Sequence, residues 1–527
     1  MSLVPRDTFL PLDPPTEHAA PFTPSRVGAG VRAEDALRLV LGGLLVFLGG
    51  LSLGSFTFHE VAGRGTGYFV VAACLAVVFT ALAYYQFEAC LALFVGIVWM
   101  KIGQTPSLAT GVSSGTGKTL YPVELAALFL LFIWGLRRFG KGQGRLVPTP
   151  INRPLMLYLA FSVWTAINGA LFWDPAVAHY FAGLPGDGHP AAQVVMLEMG
   201  LRVLSIGTFW MLASNLTDGR WLRRISVVFF VPGLLTCLSF YHLAPSLAGN
   251  WPTLLEVGLD CGLWAWLLEP VGRWRRLRPL AVLLFAASVA HVFFFNITWI
   301  SGWIALFVGL LMIAWLKSRR LFAGLLIGGV ALVLVSLPFL QTRVVQKVQT
   351  SGDLDRASMA RGDVLYALHF PLGVGPGNYR AYNMYYGRPS VWNTTGYTSA
   401  HNFYGQSLAE MGFVGLALTV FWVAAGTLML VRFYRYSPPG SARTMILAIG
   451  GLWTGLSVAA CVGDYFIPVY YNGGTVNMST TIYGWIGLGI AVALARSNGA
   501  LAAKSAPSPA VPAPIVASAF FPHRMTR

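Results

Sequence analysis

Long apolar runs, separated by short polar and basic connections, make up most of this chain. A helix needs about 20 apolar residues to cross a hydrocarbon core. Windows of that kind fall near 37–57, 67–85, 87–103, 120–136, 154–172, 193–214, 223–243, 252–269, 279–297, 299–316, 320–340, 412–432, 444–463 and 478–496. The pattern predicts an all-α fold, a polytopic bundle of about 12–14 transmembrane spans. One long polar stretch interrupts it, at 341–411, and is expected to form a large loop outside the bilayer containing short helices. Residues 1–35, rich in proline and polar side chains, and the Pro/Ala segment 497–527 read as disordered tails. Residues 36–340 then carry spans one to eleven, and 412–496 the C-terminal spans.

Composition supports the membrane reading. Of 527 residues 56% are hydrophobic and only 11% charged, with mean hydropathy +0.63, where soluble proteins carry about 25% charged residues. The net charge of +16 would suggest nucleic acid in a soluble protein, but its placement gives another reason. Basic clusters at Arg137–Arg138–Lys141–Arg145, Arg220–Arg223–Arg224, Arg273–Arg275–Arg276–Arg278, Lys317–Arg319–Arg320 and Arg432–Arg435–Arg443 all count to one side of the membrane. Short cytoplasmic loops carry such an excess. Both termini are therefore expected in the cytoplasm and the 341–411 loop outside, with membrane lipids rather than nucleic acid as the surroundings. The five cysteines lie in or beside spans without metal-ligand spacing, so neither a metal site nor a cofactor is expected.

Few polar side chains occur inside the spans. Glu198 and Arg202 sit near the middle of the sixth, four residues apart and in the favourable order for a pair on one face. A charge at that depth costs about 2.5–3.5 kcal/mol even on a lenient scale, so Arg202 should face the interior, as an ion pair or toward an anionic ligand. Glu256, Asp260, His291 and Asn296 read as hydrogen-bonding contacts between helices. SSGTGKT at 113–119 is a partial phosphate-loop pattern with Val112 where the first glycine belongs, and no strand precedes it.

The 341–411 stretch holds the candidate chemistry. Asp353 and Asp355 have the spacing of a metal-binding acid pair and read more simply as acids at a helix start. Arg361–His369 has helical character, Pro371 ends it, and Gly373, Gly375, Pro376 and Gly377 form a bend whose backbone a bulky ligand can approach. Arg361, Arg380 and Arg388 offer planar forks suited to phosphate. His401 opens HNFYGQSLAEMGFVG. With an unperturbed pKa of about 6.5 it can accept a proton, although a helix-capping role suits it equally on these grounds.

PLGVGPGNY followed by HNFYGQSLAEMGFVG resembles the signature region of the O-antigen ligase and polymerase family: a G-x-G bend, a loop, and H-N-x-[FY]-x-x-x-[LA]-x-E-x-G leading into a transmembrane helix. The resemblance implies a multi-pass protein of the bacterial cytoplasmic membrane whose active loop faces outward. It implies a metal-independent, inverting glycosyltransferase that uses a glycan donor on undecaprenyl pyrophosphate and a lipid or glycan acceptor, working beside other polysaccharide-assembly proteins. On that likeness His401 is the general base, and the motif positions Asn402, Glu410, Gly375 and Gly377 belong to the substrate site. Arginines grip the pyrophosphate. Many members carry an arginine where this chain has Ser301, so Arg361, Arg202 or Arg343 is expected to take over, with Arg380 nearby. Two other readings stay open: a flippase for lipid-linked saccharides, although this sequence shows no internal repeat of the kind many transporters have, and a non-catalytic member of the family.

Overall fold

The computed structural model describes residues 83, 85–99, 122–140, 146–181, 190, 192–244, 253–270, 276–295, 299–351, 353–386, 399–469 and 478–501. Every regular element among them is helical: α1 (Phe87–Ile97), α2 (Pro122–Gly140), α3 (Asn152–Leu171), α4 (Ala192–Asn215), α5 (Gly219–Val228), α6 (Val231–Phe240), α7 (Thr253–Leu268), α8 (Arg278–Ala290), α9 (Ile300–Lys317), α10 (Arg319–Ser351), α11 (Asp353–His369), α12 (Tyr379–Tyr386), α13 (Phe403–Tyr436), α14 (Ser441–Ala459) and α15 (Met478–Ser497). A short helix at Ala178–Phe181 lies between α3 and α4. The all-α expectation holds for these residues.

Five described segments are long and apolar enough to cross a membrane: Asn152–Leu171, Val194–Asn215, Gly219–Phe240, Phe403–Tyr436 and Ser441–Ala459. Four shorter apolar helices accompany them, at Phe87–Ile97, Arg278–Phe293, Ser301–Lys317 and Thr481–Ser497. The first two expected spans fall outside the described residues save for Ala83 and Tyr85. The expected span 223–243 divides into α5 and α6, with Pro232 in the first turn of the second. Proline has no N–H to donate, so a helix start suits it. The expected loop also takes a different form. Helix α10 runs past residue 340 to Ser351, and α11 begins at Asp353.

The centre is an aromatic cluster. Trp422 of α13, Trp453 of α14, Trp485 of α15 and the loop residue Phe466 are each buried, with centroids 5.2 Å apart for Trp422–Phe466 and 4.8 Å for Trp453–Phe466. Phe403, first residue of α13, joins it at 5.7 Å from Phe466. Beside it α14 packs on α9 through small residues: a Cβ on Gly455 would lie 2.1 Å from the Ala305 carbonyl oxygen. Close backbone approach of this kind holds helices together in lipid, where water expulsion contributes little.

Candidate functional site

The site begins with a break in a helix. In an α-helix the carbonyls of residues 409 and 410 would accept from the N–H groups of residues 413 and 414. Gly412 adopts φ 65° and ψ −166°, a conformation far from helical, and α13 kinks there. The freed carbonyls find partners in the Gly-rich hairpin: Val374 N–H donates to Ala409 O at 3.0 Å and Gly375 N–H to Glu410 O at 2.9 Å. Phe413 N–H in turn donates to Pro371 O at 3.2 Å. The backbones cross so closely that a Cβ on Gly373, itself at φ 85°, would lie 2.2 Å from Glu410 O. The glycines of both sequence motifs thus serve a single crossing.

Glu410 secures that crossing with its side chain. It is 1% exposed. One carboxylate oxygen, Oε1, accepts from Gly377 N–H at 3.0 Å and from Gln406 Nε2 at 2.7 Å. The other, Oε2, accepts from Arg202 Nη2 of α4 at 2.6 Å. Arg202 also donates through Nη1 to Glu198 Oε2 at 3.3 Å, and the Tyr158 hydroxyl of α3 lies beside its guanidinium. Arg202 is 4% exposed. A buried charge persists when paired and hydrogen-bonded, and this arginine joins a spanning helix to the hairpin and to α13.

His401 stands at the other end of the same network. The Gln406 amide that donates to Glu410 accepts Ala400 N–H at 3.0 Å through Oε1. His401 N–H donates to Ser399 Oγ at 3.2 Å, and that hydroxyl donates to Asp464 Oδ2 at 3.2 Å. His401 has φ 45°, the left-handed region, which costs a non-glycine residue about 1–3 kcal/mol and persists only where its surroundings impose it. It precedes the helix rather than starting it. Asn402 is the N-cap, its Oδ1 accepting from Tyr404 and Gly405 N–H at 3.1 Å each, and Phe403 N–H donates to Ala460 O at 2.9 Å. The imidazole is half-buried on a rigid turn.

Beneath this turn lies Asp363 of α11, 1% exposed and so close to Gly405 that a Cβ there would meet its Oδ2 at 2.2 Å. Burial pushes its carboxyl up to about 7, the Tyr379 hydroxyl opposes that rise, and Asp464 adds to it. The sign for stability follows. A carboxyl raised above its ordinary value of 3.8 contributes stability that is complete below that value and lost as pH rises through about 7. Melting temperature is therefore expected to fall from pH 3.8 to about 7 and level off above. Asp363→Asn should flatten the curve, and an unchanged slope in thermal unfolding would refute the assignment.

His401, Asn402, Glu410, Gly375, Gly377 and Arg202, all expected from the sequence, come together in this network. Arg361 lies exposed on α11, and Arg380 is half-buried on α12. Arg343 belongs to α10, with its side chain outside the described residues. Ser301, which replaces the expected arginine, is buried and hydrogen-bonded to the Tyr465 hydroxyl. Sequence reasoning missed Asp363, Ser399, Gln406 and Asp464. For Gln406 a signal existed, its position four residues before Glu410 in one helix; for Asp464 there was none.

The arrangement defines a polytopic, all-α membrane protein with a polar site built where a Gly-rich hairpin crosses a kinked helix. Residues 284–420 match the family model described as O-antigen ligase, so this part of the chain is similar to that family. That stretch holds both sequence motifs, the hairpin and the His401 turn, while Arg202 and Asp464 lie outside it. Among curated proteins none matches the chain.

Proposed function

We propose that this protein is a membrane glycosyltransferase of the ligase or polymerase type. It moves a glycan from a polyprenyl pyrophosphate to an acceptor hydroxyl on the outer side of the bacterial cytoplasmic membrane, in surface polysaccharide assembly. The observation that carries the reading is His401: a half-buried imidazole on a left-handed turn whose backbone is tied from His401 N–H through Ser399 to Asp464 and from Ala400 N–H through Gln406 to Glu410. Proteins spend rigidity of this kind on groups whose position matters.

In the reaction the acceptor oxygen attacks the anomeric carbon and the bond to the pyrophosphate oxygen breaks with inversion. His401 takes the hydroxyl proton, and the polyprenyl pyrophosphate leaves with the electron pair. Charge grows on the leaving group, so cations fixed beside it do the most. Exposed Arg361 and half-buried Arg380 serve that purpose, with Arg343 as a third. No metal is required. Arg202, held by two carboxylates, positions the hairpin rather than gripping substrate.

The test is complementation of ligase-null and polymerase-null strains by wild type and His401→Ala at matched expression. Wild type is expected to restore glycan ladders in one strain, which names the reaction. His401→Ala should lose them, by at least about 100-fold for a general base. Ladders of equal intensity from both proteins would defeat the proposal.

A further inference from the structure

Far along α4 from Arg202, where that helix ends at Asn215, a cavity of about 450 Å³ opens among α1, α2, α4 and α5. Tyr85, Arg137, Ser214, Asn215, Thr217 and Trp221 line it. Two of the lining residues hold donors that the protein leaves unused: Arg137 Nη1 and Ser214 Oγ are both buried with no hydrogen-bond acceptor. Buried donors left unmet are costly, more so when charged, so two on residues lining one cavity point to an acceptor that belongs there. Of the carboxylate in the wall, Glu88, one oxygen is already engaged. Its Oε1 accepts from Thr217 N–H at 3.0 Å, Thr217 Oγ1 at 3.3 Å and Asp218 N–H at 3.2 Å.

The surroundings select the kind of acceptor. Arg138 stacks over Trp134 with its guanidinium carbon 5.5 Å from the ring centroid, Arg224 over Trp221 at 4.9 Å, and Arg496 donates to the Leu216 carbonyl at 2.8 Å. The cavity therefore sits in a cationic rim with tryptophans, at the end of a helix long and apolar enough to span the membrane. Tryptophan and arginine collect where lipid head groups lie, and basic pockets between helix ends suit phosphate-bearing head groups. A volume of this size falls within the range of small-molecule sites, about 300–1,000 Å³.

We infer that this cavity binds the phosphodiester of a phospholipid head group, its oxygens accepting from Arg137 and Ser214. The site is separate from the His401 turn, and its existence does not depend on the glycosyltransferase reading. Bound lipid ties α4, which carries Arg202, to α1 and α2 at its other end.

Native mass spectrometry of the full chain in detergent, titrated with phosphatidylglycerol, tests this. Wild type is expected to hold one saturable lipid that survives collisional activation. Arg137→Ala should bind about tenfold more weakly, as loss of a charge-assisted hydrogen bond implies; Ser214→Ala should show a smaller loss. Arg137→Lys, which keeps the charge, should lie between wild type and Arg137→Ala, and Arg153→Ala on exposed α3 should match wild type. Thermal unfolding of each variant without added lipid separates lost binding from lost folding. A parallel arm uses soluble glycerophosphoglycerol. Arg137-dependent binding of that compound with no bound lipid would overturn the lipid assignment and give the cavity to a cytosolic phosphodiester. Lipid retention equal in wild type, Arg137→Ala and Ser214→Ala would overturn the site itself.

Discussion

Arg202→Ala is expected to lower stability by about 3–5 kcal/mol, the usual consequence of removing one partner from a buried ion pair, and to cut glycan transfer at least about 100-fold. The stability loss follows from burial. Glu198 and Glu410 are each 1% exposed, so removing the guanidinium leaves two carboxylates facing each other in a low dielectric. The activity loss follows from connection. Glu410 holds the hairpin through Gly377 and the His401 turn through Gln406, and a catalytic group displaced by about 1 Å commonly loses two orders of magnitude. A direct phosphate ligand would show a similar single-variant loss. Arg202→Ala combined with Glu410→Gln separates the two roles. The neutral amide removes the repulsion, while its carbonyl still accepts from Gly377 and Gln406. If Arg202 positions, the double variant recovers several degrees of melting temperature and part of kcat. If Arg202 grips the pyrophosphate, stability returns while transfer stays low and KM for the donor remains raised.

How much of this was legible depends on sequence distance. The apolar windows locate α3, α4, α7, α9, α14 and α15 within a few residues, because a spanning helix must satisfy its own backbone and announces itself by composition alone. Helix α10 runs beyond its window because nothing in a polar sequence forces a helix to stop at the bilayer edge; the stretch from Gln341 to Ser351 lacks both glycine and proline. In the site, the Glu198–Arg202 pair reads from a spacing of four. The bond from Arg202 to Glu410 spans 208 residues, and no local pattern encodes it. His401 stood out by resemblance, whereas its left-handed backbone and its tie to Asp464 arise only when α13 and the loop after α14 meet. Asp363 was hidden in a stretch read for its arginines. Its burial against Gly405 comes from packing, which the residues of α11 alone do not specify.

Gly412→Ala should have the largest structural effect of any single methyl group in the site. Its backbone, at φ 65° and ψ −166°, lies in a region that costs a side-chain-bearing residue about 1–3 kcal/mol. The new methyl carbon would also lie 1.9 Å from the Pro371 carbonyl oxygen, a backbone atom with no rotamer to move aside, and overpacking adds about 1–3 kcal/mol. Together these terms, about 2–6 kcal/mol, reach the lower end of the stability of a typical domain, about 5–15 kcal/mol. The chain has a way to relieve them. With alanine, α13 can run straight, its 409 and 410 carbonyls reclaimed by the N–H groups of residues 413 and 414, and the hairpin is then released. Limited trypsinolysis should therefore cut the variant after Arg380 in conditions that leave that bond intact in wild type, and glycan transfer should be lost with it. Gly450→Ala is the matched control, since a Cβ there meets nothing nearer than Leu430 Cβ at 3.8 Å. Should Gly412→Ala resist trypsin and transfer glycan like this control, the hairpin–helix crossing would not be what holds His401 in place, and the Arg202–Glu410 bond would have to carry the turn by itself.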